Sequence, residues 1–324
     1  MIELIFSKIL KSIYRLFSKI IYLCLPYFSK LLVLLKLNSR IVNQLNKLRS
    51  ESHRSEDHSS LILKIMMNNK LSSLDVGAQG GFLNGSIFSQ KYNAFFRPIL
   101  VEPIASEAEK LKNKNYQVIS KGLWSENCKK KLYILGKRSG SSSMYKPDKN
   151  TFNLYNFKKK DFGLFDVSEE IEIECTTIKE SLNELRVKNL DFLKIDTQGS
   201  ELEILKGLGD YNPLFIKTEI QVIPMYKNMT DWGELVNYLC KKNYMVCEWV
   251  EIGSHLTRSP AEMDMMFIPN YLTENGKKII LSREKEFISL MLIFGQIKLL
   301  QDISVKLNFS VNLEIQKLKD KYFH

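Results

Sequence analysis

FLKIDTQGSELEILKGL, Phe192 to Leu208, is the stretch whose reading decides the fold. A mostly apolar run ends at Asp196, Gln198 and Gly199 make a turn, and Ser200 opens a segment with helical apolar spacing. A short apolar run followed at once by a turn and a helix reads as a buried strand of an α/β sheet. Ligands of such sheets bind at the carboxyl ends of the strands, where Asp196 stands. Lys194 lies two residues before Asp196, so both side chains share a face, and the lysine is a candidate partner for that carboxylate or for a substrate oxygen. Ser200 and Glu203 have capping-box spacing. Glu201 lies in the first helical turn, where the dipole stabilises an acid in any protein, so its first reading is structural.

The same strand–turn–helix pattern recurs from about residue 61 to 270. Strands are expected at Leu71–Val76, Pro98–Glu102, Tyr116–Ser120, Ile171–Thr176 (exposed on one face), Leu190–Ile195, Leu214–Ile220, Tyr244–Val250 and Asp264–Ile268. Helices are expected near Leu83–Tyr92, at Ser106–Lys114 (Ser106 and Glu109 again at capping-box spacing), Ser200–Leu208 and Trp232–Lys242. The fold class is therefore α/β, a mostly parallel sheet with helices on both faces. Three segments follow: a basic extension over 1–50, the α/β domain over 51–270 after a polar linker at 50–60, and a mainly helical extension over 271–324. Arg283–Leu300 reads as one helix. Residues 303–315 alternate as a strand does, yet Ile303, Leu307, Val311 and Ile315 are spaced by four as in a helix, and the sequence leaves both readings open. A tail of this kind packs on its own domain or on a second copy of the chain.

Composition excludes several classes. With 15 Gly and 8 Pro in 324 residues, and 44% hydrophobic residues, the chain is neither collagen-like nor low-complexity. The net charge is +11, and residues 1–50 hold nine Lys and Arg against the single acid Glu3. Basic charge gathered on an extension points away from nucleic acid and toward an anionic membrane surface. Residues 2–37 are apolar-rich but repeatedly interrupted by cations, so they neither span a bilayer nor resemble a cleavable signal. Lys8, Lys11, Arg15 and Lys19 fall in one arc at 100° per residue, with Ile5, Phe6, Ile9, Ile13, Phe17 and Ile20 over much of the rest. Such a helix, ending near Pro26, lies in a membrane interface or docks on its own domain. The five cysteines are scattered without a CxxC, which suits a reducing cytosol and supports no disulfide framework. The four histidines have no HxxxH spacing, and no metal site is expected from them.

Two further motifs carry chemistry. LDVGAQGGFL, Leu74–Leu83, ends a strand at Asp75 and turns through Gly77, Gly80 and Gly81. Gln79 stands where a dinucleotide GxGxxG has its second glycine, so a pyrophosphate cradle is disfavoured. The acid just before the glycines suits a cationic ligand group, such as the amino group of S-adenosylmethionine. PILVEP, Pro98–Pro103, places Glu102, followed by Pro103, at a strand end about 20 residues past the glycines, the spacing of an acid that accepts both hydroxyls of a ribose.

In this order the three motifs resemble the FkbM family of S-adenosylmethionine-dependent methyltransferases, over roughly Leu71 to Pro269 and most specifically in KIDTQGSELEILKG. The resemblance implies a Rossmann-like fold, S-adenosylmethionine as cofactor and O-methylation of sugars, polyketides or related metabolites. It further implies that Asp75, Gly77 and Gly81 line the methionine portion, that Glu102 holds the ribose and that Asp196 faces the transfer site. Gln79, grouped with that loop, departs from the Asn that members often carry. As the base that activates the acceptor hydroxyl, Asp196 ranks first, Glu219 second and His255, in the loop before the last strand, third. A divalent-metal-assisted route with Asp196, Glu201 and Glu219 as ligands is the alternative within enzymes, and a membrane-associated, non-catalytic scaffold is the alternative outside them. The expected location is cytoplasmic, with peripheral contact to the inner membrane face through residues 1–37.

Overall fold

In a computed structural model of the chain, the residues described are 57–82, 90–252, 256–257, 259–312 and 314–317. The amphipathic N-terminal segment and His255 lie outside them. Contacts divide the chain into two units: Met66–Leu290, which contains both sheets, and a second made of Met1–Ile65 with Met291–His324.

Helix α1 covers Ser59–Met66 and is followed by strand β1, Leu71–Val76, every residue of which is buried. Apolar Leu71, Leu74 and Val76 require cover on both sides, so β1 is central. Strand β2 (Phe96–Val101), helix α2 (Ala105–Asn113) and strand β3 (Gln117–Ile119) follow, and β2 pairs parallel with both β1 and β3. After an inserted segment the chain returns through helix α3 (Ile178–Glu184) to strand β7 (Phe192–Ile195), helix α4 (Glu201–Lys206), strand β8 (Phe215–Gln221), helix α5 (Trp232–Lys241) and a hairpin of β9 (Tyr244–Ile252) and β10 (Glu262–Pro269). The sheet order is β3-β2-β1-β7-β8-β10-β9, with β10 antiparallel to both neighbours. The chain winds outward from β1 to β3 and then restarts at β7 beside β1. That reversal opens a crevice at the strand ends, and there the two glycine-bearing turns meet. Leu74, Leu193, Ile216 and Phe267 fill the centre with no exposed surface, each contributing about 1.5–3 kcal/mol of burial.

The insertion carries β4 (Gly122–Leu123), β5 (Cys128–Leu135) and β6 (Val167–Thr176), a second sheet in the order β4-β6-β5. Only the last part of β6 was expected from sequence. Lys129 and Lys131 stand on the exposed face of β5, Lys129 pairing with Glu172 at 2.8 Å, but Lys130 shares the inner face with Leu132 and lies over the Trp124 ring, which breaks the alternation and hides the strand.

Several local expectations are corrected. Neither capping box forms: Ser106 lies inside α2, whose N-cap residue is Ile104, and Ser200 caps α4 without a side-chain bond. Glu203 turns instead to Ser125 Oγ at 2.8 Å and to Lys206. Of the helix expected at Leu83–Tyr92, the described end belongs to a 3₁₀ turn, Gln90–Phe95, and the remainder lies outside the described residues. The single helix expected over Arg283–Leu300 is two, α7 (Glu284–Ile293) and α8 (Ile297–Leu307), because Gly295 takes φ +68° between them. α6 (Glu274–Ser282) precedes them. Beyond residue 303 the helical reading wins: Ile303 and Ile315 are buried, and residues 314–317 are helical. No helix among the described residues is long and apolar enough to cross a membrane.

Candidate active site

The crevice beside β1 and β7 is a pocket of about 650 Å³. Its walls are Gly77 and Gln79 from the turn after β1, Glu102, Pro103 and Ile104 from the turn after β2, and Asp196, Thr197 and Ser200 from the turn after β7. Ser139, Gly140, Ser142 and Met144, between β5 and β6, close it on the remaining side. Gly77 makes the close approach possible. It has φ +80°, and a Cβ there would lie 2.0 Å from the Asp196 carbonyl oxygen. The turns are tied by the Asp196 amide donating to the Val76 carbonyl at 3.1 Å and the Ala78 amide to that of Val101 at 3.3 Å.

Of the residues expected to hold the cofactor, Gly77, Gln79, Glu102 and Pro103 line this pocket, whereas Asp75 and Gly81 do not. Asp75 is buried beneath the turn with Lys194 Nζ 3.2 Å away. Gly81, at φ +131°, lies beside the Tyr116 ring.

Glu102 is buried, and its Oε1 accepts the Ile104 amide at 2.9 Å. Burial pushes its carboxyl up to about 7, against the lowering effect of that amide. A buried acid in a pocket wall suits the two hydroxyls of a ribose, which would hydrogen-bond the charged form. Ser200 Oγ is fully buried in the same wall with no partner among the described residues, a further polar group that a ligand can satisfy. The residues present fit S-adenosylmethionine: Glu102 would take the ribose and the Gly77–Gln79 turn would run along the methionine portion.

A pH dependence follows. Below about 7 the free protein's Glu102 is protonated, and binding that requires the carboxylate must release the proton. S-adenosylmethionine affinity is expected to be flat above that pH and to fall by up to about tenfold per unit below it. Calorimetry in buffers of different ionisation enthalpy reads the released proton directly. Affinity independent of pH between 5.5 and 8.5 would remove Glu102 from the contact.

Beside the pocket, one face of the main sheet is polar. Strand pairing sets Asp75 opposite Lys194, Lys194 opposite Lys217, Glu219 opposite Asp264 and Gln221 opposite Glu262. Lys194 Nζ lies 3.2 Å from Asp75 and 3.5 Å from Asp196, and Lys217 Nζ lies 2.7 Å from Asp264. Burial works against the Lys194 charge, but the two carboxylates more than offset it and hold it above the usual lysine range. Gln198 joins the rows. Its backbone takes φ +60°, and Nε2 donates to Asp196 Oδ1 at 3.1 Å and to Glu219 Oε1 at 2.7 Å. Its Oε1 accepts from Gln221 Nε2 at 3.2 Å and lies 3.0 Å from the Tyr226 hydroxyl. Acids outnumber lysines here. Burial first, then Asp196, Glu262 and Asp264, lift the Glu219 carboxyl well above its ordinary value. Burial likewise pushes Glu262 up to about 7, with Arg138 pulling it down and Asp196 and Asp264 raising it.

Asp196 and Lys194 thus meet as the sequence suggests. Glu219 stands within β8 rather than at its end, one amide behind Asp196. Gln198, Gln221, Glu262 and Tyr226 were missed. A usable signal was FIKTEIQ, in which Lys217, Glu219 and Gln221 alternate within an otherwise apolar strand. The ligand trio considered for a metal is not assembled: Glu201 is turned onto the Thr197 and Gly199 amides at 2.9 Å, and its own helix start consumes it. Among the described residues no group of three or more His, Cys, Asp or Glu could hold a metal ion.

No curated protein matches the chain. Two methyltransferases are among the solved structures similar to it. A TehB-like SAM-dependent methyltransferase from Corynebacterium glutamicum has 8% identity and a TM-score of 0.32, over 70% of this chain and 96% of that one. TrmK of M. capricolum, in complex with S-adenosyl-homocysteine, has 13% identity and a TM-score of 0.28, over 82% of this chain and 96% of that one. The profile of the methyltransferase FkbM domain matches residues 75–246, just over half of the chain, from the acid before the glycine turn to the start of β9. By that match the chain belongs to the FkbM family of methyltransferases and uses S-adenosylmethionine.

Proposed function

We propose that the protein O-methylates a hydroxyl of a sugar, a glycan or a related metabolite. The observation that carries this reading is the position of Asp196: on the pocket wall, with one oxygen bonded to Gln198 and the other 3.5 Å from Lys194. When bound, S-adenosylmethionine supplies an electrophilic methyl group on a sulfonium. The residues then have separate tasks. Glu102 and the Gly77 turn bind; Asp196 receives the proton of the acceptor hydroxyl at a carboxylate oxygen; Gln198 and Lys194 hold that carboxylate in place. Glu219, lifted by burial and by its acidic neighbours, keeps a proton and spares the cluster a further charge. Beyond Asp196 the face continues to the half-buried carboxyls of Glu262 and Asp264, which suit the hydroxyls of a polyhydroxylated acceptor. Mass spectrometry of glycans and small metabolites from cells with and without the gene tests this. A 14-dalton gain (one CH₂ added) on a hydroxyl-bearing compound is expected, and the same gain on a nitrogen or carboxylate product would overturn it.

We also infer that the chain works at the cytoplasmic face of a membrane, through residues 1–37. Four cations on one arc contribute about 1 kcal/mol each near an acidic leaflet, screened over about 8 Å at physiological salt. Removing residues 1–45 is expected to abolish flotation with anionic liposomes at low salt while leaving methyl transfer to a soluble acceptor intact. Insoluble truncated protein, or equal flotation of both forms, would make the segment structural.

A further inference from the structure

Cys128 and Cys175 are far apart in sequence, and the second sheet makes them partners. Cys128 opens β5 directly opposite Cys175 of β6 in antiparallel register. Residues so paired have Cα atoms about 4.5–5.5 Å apart, inside the range a disulfide bridges. Alternation turns both side chains to the same face, among Trp124, Leu132 and Ile173. They differ in access. Cys175 is buried, and burial pushes its thiol up to about 12; Cys128 is half-buried, and both line an open groove with Lys121, Lys129 and Glu180.

Cys175 also packs behind the wall of the pocket. A Cβ built on Gly122 would lie 2.7 Å from Cys175 Sγ and 2.9 Å from Met144 Cε. Gly122, Leu132 and Met144 all line the pocket, so the sulfur sits directly behind its wall. Drawing the two sulfurs from contact to a bond of about 2.05 Å must move that wall, because a packed layer has no slack to absorb the shift.

We propose that Cys128 and Cys175 are a redox-sensitive pair whose reversible disulfide alters cofactor binding. The oxidant class is a peroxide. The Cys128 thiol gives two electrons to the peroxide O–O bond and becomes a sulfenic acid, releasing water; the Cys175 thiol then attacks that sulfur, the S–S bond forms and the sulfenic oxygen leaves as a second water. A dithiol reductant reverses it.

The test uses the full chain treated with hydrogen peroxide, blocked with N-ethylmaleimide and digested without reduction. The expected product is one peptide pair joined through Cys128 and Cys175, lost after dithiothreitol and absent in Cys128→Ser. Exposed Cys240 serves as the unpaired comparison. The dissociation constant of S-adenosylmethionine is then expected to change by about fivefold or more on oxidation, to return on reduction and to stay fixed in peroxide-treated Cys128→Ser. Both thiols alkylated after peroxide would overturn the pair. A complete cross-link with unchanged affinity would overturn the coupling. The affinity arm rests on the pocket being the cofactor's: if the reduced protein binds no S-adenosylmethionine, that assignment fails and the coupling with it, whereas the cross-link is read independently.

Discussion

Asp196→Asn is expected to lower the single-turnover rate of methyl transfer by about 10² to 10⁴-fold while changing S-adenosylmethionine affinity by no more than a few-fold. The range is that of a lost general base. The fold should survive, because the main-chain bond from the Asp196 amide to Val76 does not involve the side chain. The asparagine Oδ1 still accepts from Gln198, and Lys194 keeps Asp75 at 3.2 Å. The negative charge beside Lys194 is removed, and with it the ability to take a proton. Rapid-quench kinetics with enzyme in excess, beside calorimetric titration of cofactor, separates the two quantities. Should affinity collapse while the single-turnover rate is preserved, Asp196 holds ligand and the base lies elsewhere.

Glu102→Ala is the second large effect. Two charge-assisted hydrogen bonds to a ribose are together worth on the order of 2–4 kcal/mol, which is about 30- to 1,000-fold in the dissociation constant. The loss is expected in full near pH 8, where Glu102 is charged, and is expected to shrink toward pH 5.5, where the wild-type carboxyl is protonated as well. That convergence distinguishes a lost carboxylate contact from general damage, since a misfolded pocket would weaken binding equally at both pH values. A folded variant with unchanged affinity at pH 8 would refute the ribose assignment.

Strand–turn–helix periodicity and the three glycine- or acid-bearing turns were enough, without coordinates, to establish the α/β class, the central strands and the crevice at their ends. Those features are local: an apolar run must be buried on both faces, and only glycine at 77 tolerates φ +80° against the Asp196 carbonyl. Gly77, Gln79, Glu102, Pro103 and Asp196 reached the pocket because each lies within a few residues of a strand end. The remainder depended on contacts between distant segments. That Asp75 pairs with Lys194 depends on β7 lying beside β1. Ser200 and Ser106 have the spacing of caps, but the side-chain partner of each such motif is decided by neighbours, as Ser125 does for Glu203. Gln198 is one polar residue in a turn until register places Glu219, Gln221 and Tyr226 around it. Of the second sheet only the end of β6 was legible, and the Cys128–Cys175 pair was not, because Lys130 on the inner face of β5 breaks its alternation and because strand register is a property of two segments, never of one.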